Sequence, residues 1–503
     1  MSFHFNIVKG FKDRRFIRWF CWSLLLVSCR IPGASDSSNT DRDTSRIIHD
    51  SGVVEELDCA VSVQLFESVV RSDTLVSMVP RLDWRASENI SVQAVTDIGR
   101  DALLWGTPQA AASEGSIVVL GIPAMTPATV VLTAMTEQGL ICSEEVLVPA
   151  SSLPANVPTL NITNYDSDRA EGGYMSTVVI TEDGHFVSII DEEGKYVWLN
   201  DRGRDNVLGA NFSLDGDGLI YMRWATPANN DADPPRDAAP GNIVRVGWDG
   251  EILSSFSVDG NHTDFVELPN GRIAFLGEYY RELTDETGES RLVKGDGVYE
   301  VSPDGLVTEL WNVFDALDPV LDPYMSDDKS FTNANSLSYH AASDDLLVTI
   351  STQNSIHRFD YESGDTVWDL ANDDARLSAV GDEAVIMSPH SSQLLDEETL
   401  LIFNRNYDPT GETPVVDMCS EAVVLDLDLD VGEAVERDIY QSEECLLVVF
   451  LGEAVRLNQG NTRVVYSSSG QIDEIDPIGD IVWQLNTDLG GAIGFVDWRP
   501  SLP

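Results

Sequence analysis

The sequence predicts an all-β protein, a six-bladed β-propeller preceded by a small β-sandwich. A strand–turn–strand pattern recurs about every 57 residues from residue 160 onward. Before it, residues 56–152 alternate apolar and polar side chains in short runs. Neither region has the 3.6-residue periodicity of amphipathic helices, so strands are the expected elements in both.

The repeats predict the propeller over residues 159–503. Each copy is a β-run, a turn with Asp and Gly, and a second run that ends on an aromatic or apolar residue. Inner strand pairs accompany the copies, which gives four short strands per repeat, as in propeller blades. A solenoid is the alternative, but the long polar loops favour a propeller. The copies are Asp191–Trp198, Trp248–Phe256, Ser302–Trp311, Tyr361–Trp368, a degenerate one at Asp426–Tyr440, and Pro477–Trp483.

The sandwich is predicted from short strands such as Ala60–Phe66, Ile90–Ala94 and Thr129–Thr133. Gly121–Pro127 resembles the loop before a late strand of fibronectin type III domains, so a domain of that type is expected. Two prolines in Ser151–Pro158 indicate a linker to the propeller.

The first 29 residues predict export. Five basic residues precede the apolar run Trp19–Val27, which is too short to span a bilayer. Leu26–Cys29 resembles the bacterial lipobox, so Cys29 is the predicted lipidation site, and a plain signal peptide is the alternative. Residues 30–55, rich in Ser, Asp and Thr, are predicted to be a flexible tether. The expected location is the cell envelope, in the periplasm or on the outer membrane.

The charge balance excludes some partners. With 31 Lys and Arg against 84 Asp and Glu, the net charge is −53. Nucleic acid requires a basic face and is therefore excluded as a partner. Anionic lipid is also a poor partner for the folded body, so any membrane contact is expected through the lipid anchor alone.

The cysteines predict two disulfides. Of six cysteines, Cys21 and Cys29 belong to the leader, and an even number remains in an exported chain. The expected pairs are Cys59–Cys142 in the sandwich and Cys419–Cys445 in the fifth blade. No metal site is predicted, because the aspartates of 426–430 alternate with leucines as in a half-buried strand.

Two of the seven histidines stand out. His262 and His390 each precede the first strand of a repeat, and the first strands of a propeller line its central channel. Both are therefore expected to face the channel, whereas His185, His340 and His357 are interpreted as structural or solvated.

Around these positions the chain resembles the bacterial aryl-sulfate sulfotransferases, over roughly residues 160–500. The motifs, in order, are His262-Thr263-Asp264 with Glu267–Gly271, Phe331–Ser336, Gln353–Ile356, and His390 with Gln393–Leu395. The preceding sandwich is also compatible with this family.

The resemblance implies sulfuryl transfer between phenols without a nucleotide donor or any other cofactor. The residue matching the family's nucleophile is His390, which would form a sulfohistidine, and His262 would protonate the departing phenolate. Aryl sulfates and phenols are the implied small-molecule partners. Neutral imidazole is a good nucleophile near pH 7, and a covalent intermediate divides one difficult transfer into two easier ones.

The chain departs from the family where sulfate should be held. Asn333 stands in place of an expected His, Ser351 in place of an expected Arg, and Thr263 in place of one of two paired histidines. The substrate-binding positions are therefore Asn333, Asn335 and Ser351, with Arg405 and Arg223 as candidate replacements for the missing charge. The alternative function is a weakened or inactive propeller that binds a ligand or partner on the cell envelope.

Lipidation is directly testable. We expect Cys29 to become the mature N-terminus and to incorporate a fatty-acid analogue during metabolic labelling. Cys29→Ser should abolish the label, whereas the matched leader variant Cys21→Ser should keep it. Equal labelling of Cys29→Ser and the parent chain would contradict the prediction.

Overall fold

The computed structural model describes the backbone of Val61–Phe66 and residues 79–503, except 101–102, 137–138, 225–240, 285–287, 289, 318, 320–330, 373–374, 381–385, 408–418 and 489. The predicted leader and tether, Cys29, Cys59 and the Cys142 side chain lie outside the described residues. Residues 57–503 form one compact unit. Among the described helices, none has the length and apolar character needed to cross a membrane.

The first six strands form a sheet built around one long strand. β2 pairs through its first half with β1 and β4, and through its second half with β3 and β5. Its inward side chains are apolar and buried at alternate positions, such as Leu82, Trp84, Val92 and Ala94. The strands are β1 (Val61–Phe66), β2 (Arg81–Asp97), β3 (Leu104–Trp105), β4 (Ala112–Val118), β5 (Ala128–Thr136) and β6 (Gly139–Val148).

The next part of the chain builds three antiparallel sheets. Strand β7 (Leu160–Tyr165) belongs to a later sheet. Sheet 1 contains β8 (Tyr174–Ile180), β9 (His185–Asp191) and β10 (Tyr196–Asp201). Sheet 2 contains β11 (Val207–Phe212), β12 (Gly218–Arg223), β13 (Gly241–Gly247) and β14 (Ile252–Val258). Sheet 3 contains β15 (Asn261–Glu267), β16 (Ile273–Thr284), β17 (Ser290–Val301) and β18 (Val307–Asn312), and α1 (Val313–Ala316) follows it.

Three more meanders follow. Sheet 4 contains β19 (Ala334–His340), β20 (Asp345–Ile350), β21 (Ser355–Asp360) and β22 (Thr366–Ala371), with a 3₁₀ turn at Ser351–Gln353. Strand β23 (Leu377–Val380) joins it to sheet 5, which contains β24 (Pro389–Asp396), β25 (Thr399–Asn404), β26 (Glu421–Asp428) and β27 (Glu433–Gln441). Sheet 6 contains β28 (Glu453–Arg456), β29 (Thr462–Tyr466), β30 (Gln471–Ile475) and β31 (Ile481–Thr487), with a 3₁₀ turn at Ser467–Ser469.

Each end of residues 160–503 pairs with a sheet that is formed mainly by the opposite end of that range. β7 pairs with β31 at the outer edge of sheet 6. At the C-terminus, β32 (Ala492–Ile493) and β33 (Asp497–Arg499) pair with β8 and add the innermost segment of sheet 1. Strands from distant parts of the chain therefore close the set of sheets on itself.

Side-chain hydrogen bonds join the innermost segments of successive sheets. β33, β11, β15, β19, β24 and β28 each begin or line the inner edge of a sheet, and neighbouring ones are in contact. At every junction one polar side chain bonds to the backbone of the next innermost segment, which produces a propeller-like ring. The pairs are Asp497 with the Phe212 N–H (2.9 Å), Asn211 with the Phe265 carbonyl (3.5 Å), Asp264 with the Leu337 N–H (2.8 Å), Asn335 with the Pro389 carbonyl (3.2 Å), Ser391 with the Ala454 N–H (3.0 Å) and Glu453 with the Val496 N–H (2.7 Å).

The N-terminal sheet packs against sheet 1. Arg100 forms ion pairs with Asp191 (2.7 Å), the last residue of β9, and with Glu193 (2.8 Å) in the turn that follows. The Ala124 N–H donates to the Tyr196 carbonyl (2.7 Å). Val79 shares a buried apolar cluster with strands of sheets 1 and 2. The predicted linker thus connects two parts that contact each other directly.

The all-β class predicted from the sequence is confirmed. The repeated Asp/Gly turns lie between the third and outermost strands of the sheets, as Asp191–Trp198 does between β9 and β10. In sheet 5, Cys419 and Cys445 form a disulfide with a Cα–Cα distance of 4.8 Å.

Three of the six junction groups are acids, and burial makes them pH-sensitive. Burial raises the pKa of Asp264 to about 7, although its bonds to the Phe265 and Leu337 N–H groups oppose this shift. The pKa values of Glu453 and Asp497 are also raised by burial. Between about pH 4 and 7 the folded state therefore binds a proton at Asp264 that the unfolded state lacks, so its contribution to stability falls as the pH rises.

We expect Asp264→Asn to remove part of this pH dependence. Chemical denaturation at pH 4 and pH 7 should show a smaller loss of stability in the variant than in the parent chain, by roughly 1–3 kcal/mol. Asp183→Asn, in an exposed turn, is the matched control and should keep the parent slope. An unchanged slope in Asp264→Asn would exclude a raised pKa at this carboxyl.

Candidate functional site

His390 is the second residue of β24, the innermost strand of sheet 5. Its side chain is buried, with 3% of the residue exposed, and its ring lies 5.5 Å from the ring of Phe495. Burial, followed by the positive charge of Arg405, lowers the pKa of His390 well below its usual value, whereas a hydrogen bond to the Gly452 backbone opposes this shift. The imidazole is therefore neutral at pH 7, and Nδ1 has no hydrogen-bond partner among the described residues.

The backbone at Gly452 requires glycine. Its φ is +105°, and a Cβ there would collide with the ring of Phe403. The preceding residue, Leu451, also has a positive φ (56°), which is rare for a large aliphatic residue. The Cys419–Cys445 disulfide constrains the start of the same loop, and the backbone of Gly452 in this loop bonds to His390.

Arg405 follows β25 and reaches back to the residues before His390. Its Nε donates to the Ser388 carbonyl (3.1 Å), and its Nη2 donates to the Ser388 Oγ (2.7 Å). Burial lowers the pKa of Arg405 to about 10. Ser388 has φ +48°, and its N–H donates to Asn354 Oδ1 (2.7 Å), which crosses from sheet 4 to sheet 5.

The structure brings the predicted substrate-binding positions of sheet 4 together. Ser351 donates from both its N–H and its Oγ to the Asn333 carbonyl, each over 3.2 Å. Asn333 is exposed, whereas Ser351 is 3% exposed. Asn335 is buried, and its Nδ2 donates to the Pro389 carbonyl beside His390, while its Oδ1 has no partner among the described residues.

His262 lies at the second position of β15, equivalent to that of His390 in β24. Its Nε2 is 3.1 Å from Asp296 Oδ1, although the alignment is poor for a hydrogen bond, and its Nδ1 is 3.1 Å from Thr263 Oγ1. Burial alone would raise the pKa of Asp296, but His262 and the Ala334 N–H (2.7 Å) hold it below its usual value. Thr263 has φ +53°, which is strained for a β-branched residue.

These contacts connect both histidines through one network of side-chain and backbone contacts. Asp296 contacts His262 and the backbone of Ala334, and the adjacent residue Asn335 contacts the backbone preceding His390. The remaining candidate, Arg223, lies in sheet 2, where its Nη1 is 3.8 Å from Asp205 Oδ1. Its carbonyl accepts from Asn261 Nδ2 (2.9 Å), one residue before His262.

A depressed pKa alone does not identify the site. Burial also lowers the pKa of His357, to about 4, but this residue lies on the third strand of sheet 4 and stacks near Trp311 (5.7 Å). It is a structural histidine, as the sequence indicated. His390 differs because it lies on an innermost strand beside an arginine and strained backbone.

Sequence reasoning missed Asp296, Asn354, Ser388 and Gly452. Gly452 and Ser388 carried a weak signal, since Leu-Gly and Ser-Pro-His flank the ends of strands. Asn354 lies in the motif Gln353–Ile356, but its role depends on a contact between sheets, and Asp296 carried no signal. In the described part of the chain, no group of three or more His, Cys, Asp or Glu side chains is placed to hold a metal ion.

Comparison with known proteins identifies a family whose profile matches this chain. The family profile described as Arylsulfotransferase (ASST) matches residues 160–437, which contain every residue of the network except Gly452. No match was found among curated proteins.

The solved structures that match this chain share little sequence with it. A protein of unknown function from Bacteroides caccae is 14% identical, with a TM-score of 0.40, over 65% of this chain and 98% of its own. A streptogramin B lyase is 14% identical, with a TM-score of 0.36, over 68% and 97%. The Cps50 (Swd1) β-propeller domain of Myceliophteria thermophila is 12% identical, with a TM-score of 0.35, over 65% and 89%.

Proposed function

Because the chain belongs to the arylsulfotransferase family, we propose that it transfers a sulfuryl group from a phenolic sulfate ester to a phenol through His390. Family membership supports an aryl-sulfotransferase-like function in general. The observation that carries the specific proposal is the environment of His390, a buried neutral imidazole bonded to the Gly452 backbone and located beside a cationic side chain.

In the first half-reaction, a ring nitrogen of His390 uses its lone pair to attack sulfur. The S–N bond forms, the bond from sulfur to the phenolic oxygen breaks, and the electron pair leaves with the phenolate. The second ring nitrogen bonds to the Gly452 backbone, which fixes the ring orientation and supports the positive charge that develops.

A proton is then needed for the phenolate, and His262 is the proposed donor. Its Nε2 lies 3.1 Å from Asp296 Oδ1, and a protonated His262 at this position would give its proton to the leaving oxygen. In the second half-reaction an acceptor phenol returns that proton to His262 and attacks the sulfohistidine. The S–N bond breaks and His390 is restored as neutral imidazole.

The finer fold and location are part of this proposal. Sheets 1 to 6 would be the six blades of the propeller, and the N-terminal sheet would be a fibronectin type III-like sandwich. Cys29 would carry the lipid anchor that holds the protein in the cell envelope, and Cys59 would pair with Cys142. The acidic composition and the ring of junction bonds support a solvated propeller with no nucleic-acid partner.

A non-catalytic binding module is the second candidate function. It is favoured by the uncharged residues Asn333 and Ser351 and by the 3% exposure of His390, which limits access to its ring. In that case the same network would bind a ligand without forming a bond to it.

Covalent modification distinguishes the two functions. After incubation with 4-nitrophenyl sulfate, intact-mass analysis should detect one added SO₃, and His390→Ala should carry none. His340→Ala, at the outer end of β19, is the matched control and should retain the adduct. Robust turnover by His390→Ala would place the reaction elsewhere, and a parent chain without adduct or turnover would favour the binding module.

The missing charges predict slow native transfer. Removing one donor to the reacting oxygens typically lowers the rate by about 10²–10³, so the parent chain should transfer sulfuryl groups between simple phenols weakly or undetectably. Asn333→His with Ser351→Arg should increase the rate measured by nitrophenolate release, because the two positions are already in contact. A folded double variant that remains inert would favour the binding module.

A further inference from the structure

We propose that Arg405 holds an anionic oxygen of the substrate beside His390, and that Ser388 and Asn354 position its guanidinium for this purpose. The inference rests on the proposed sulfuryl transfer at His390 for its substrate, although anion binding at Arg405 is measurable without turnover.

Arg405 uses only some of its donors in contacts with the described residues. Two of its five N–H donors reach Ser388, which leaves three for another acceptor. Among the described residues, no carboxylate lies within ion-pair distance of this guanidinium. By contrast, the more deeply buried Arg358 and Arg463 pair with Asp345 (2.6 Å) and Glu474 (3.0 Å). Burying a charge without a partner costs free energy, so a bound anion would stabilise the Arg405 guanidinium.

The residues around Arg405 are arranged to orient it. Ser388 and Asn354 both have φ +48°, a left-handed conformation that is unfavourable for serine. The Asn354 side chain stabilises the conformation of Ser388 by accepting its N–H over 2.7 Å. In this conformation both the carbonyl and the hydroxyl of Ser388 accept from Arg405. Because Ser388 is two residues before His390, one short segment orients the cation and the nucleophile together.

Arg405 is connected to the part of sheet 4 that lacks the positive charge expected from the family. Asn354 directly follows the 3₁₀ turn that begins at the uncharged Ser351. Through Asn354 and Ser388, this turn is connected to a cation that comes from sheet 5 instead. A planar guanidinium presents a fork of donors to two oxygens of a sulfuryl group. Its charge also keeps the neighbouring imidazole neutral and thus nucleophilic.

Binding of inorganic sulfate tests the cation directly. Calorimetric titration of the full chain should detect sulfate binding, which Arg405→Gln should weaken at least about tenfold. Arg405→Lys should retain part of the affinity, because it keeps the charge and loses the fork. Arg204→Gln is the matched control, since Arg204 is exposed and lies in a separate surface groove. Absence of sulfate binding by the parent chain, or equal binding by Arg405→Gln, would overturn the inference.

Turnover separates this inference from the proposed function. With 4-nitrophenyl sulfate, Arg405→Gln should lower kcat by about 10²–10³, and added guanidinium should partly restore Arg405→Ala. Loss of sulfate binding in Arg405→Gln, in a chain that forms no adduct, would sustain the anion site and refute the transfer reaction. Normal kcat in Arg405→Gln together with the His390 adduct would do the opposite.

The positioning role of Asn354 needs its own variant. Asn354→Gly keeps the left-handed backbone and removes the acceptor for the Ser388 N–H. We expect kcat for 4-nitrophenyl sulfate to fall about tenfold and sulfate affinity to fall in parallel, while the thermal midpoint changes little. A lowered midpoint with unchanged sulfate affinity would show that Asn354 is only structural.

Discussion

The ring of hydrogen bonds between innermost segments is the interaction on which the architecture depends. Backbone ladders hold each sheet together, and buried apolar clusters pack neighbouring sheets against each other, but apolar packing is non-directional. At the six junctions, polar side chains add directional hydrogen bonds to the backbone of the neighbouring sheet. Three of these groups are acids. Burial raises the pKa values of these acids, because it disfavours the ionised form of the carboxyl groups that join the sheets.

The candidate site uses the same ring. Asn335 joins sheet 4 to sheet 5 and lies in the network that connects the two histidines, so the geometry around His390 cannot change without loosening a junction. Strain is concentrated here as well, at Thr263, Asn354, Ser388 and Leu451. Residues held in unfavourable conformations need a surrounding structure that over-determines them, and the ring and the Cys419–Cys445 disulfide supply it.

The sequence predicted features that depend on local patterns. Strand content followed from alternation, and the outer hairpins followed from Asp/Gly turns such as Asp191–Trp198. His262 and His390 were singled out because they occupy equivalent positions in a repeat, and the structure places both at the second residue of an innermost strand. The resemblance named Asn333 and Ser351 as substrate-binding positions, and the structure shows that they are in contact although eighteen residues separate them.

Sequence could not predict the contacts that cross between sheets. Nothing near Asp296 in the chain indicates that it faces His262, because the two meet only when β15 and β17 adopt their register. The same holds for Asn354 and Ser388, which are 34 residues apart and belong to different sheets. The role proposed for Arg405 rests on its having no carboxylate partner among the described residues, and such a feature has no pattern in the chain.

The way the set of sheets closes has a consequence for how the chain folds. β7 pairs with β31 across about 320 residues, and Val496 and Asp497 at the C-terminal end take part in two of the six junctions. Contacts so remote in sequence form slowly, because the entropy of closing a long loop is lost before any bond compensates for it. During synthesis, sheets 2 to 5 can therefore form as local meanders while the ring remains open. The inner edge of sheet 1 and the outer edge of sheet 6 can be completed only when the last strand has emerged. The ring then closes cooperatively in one late step.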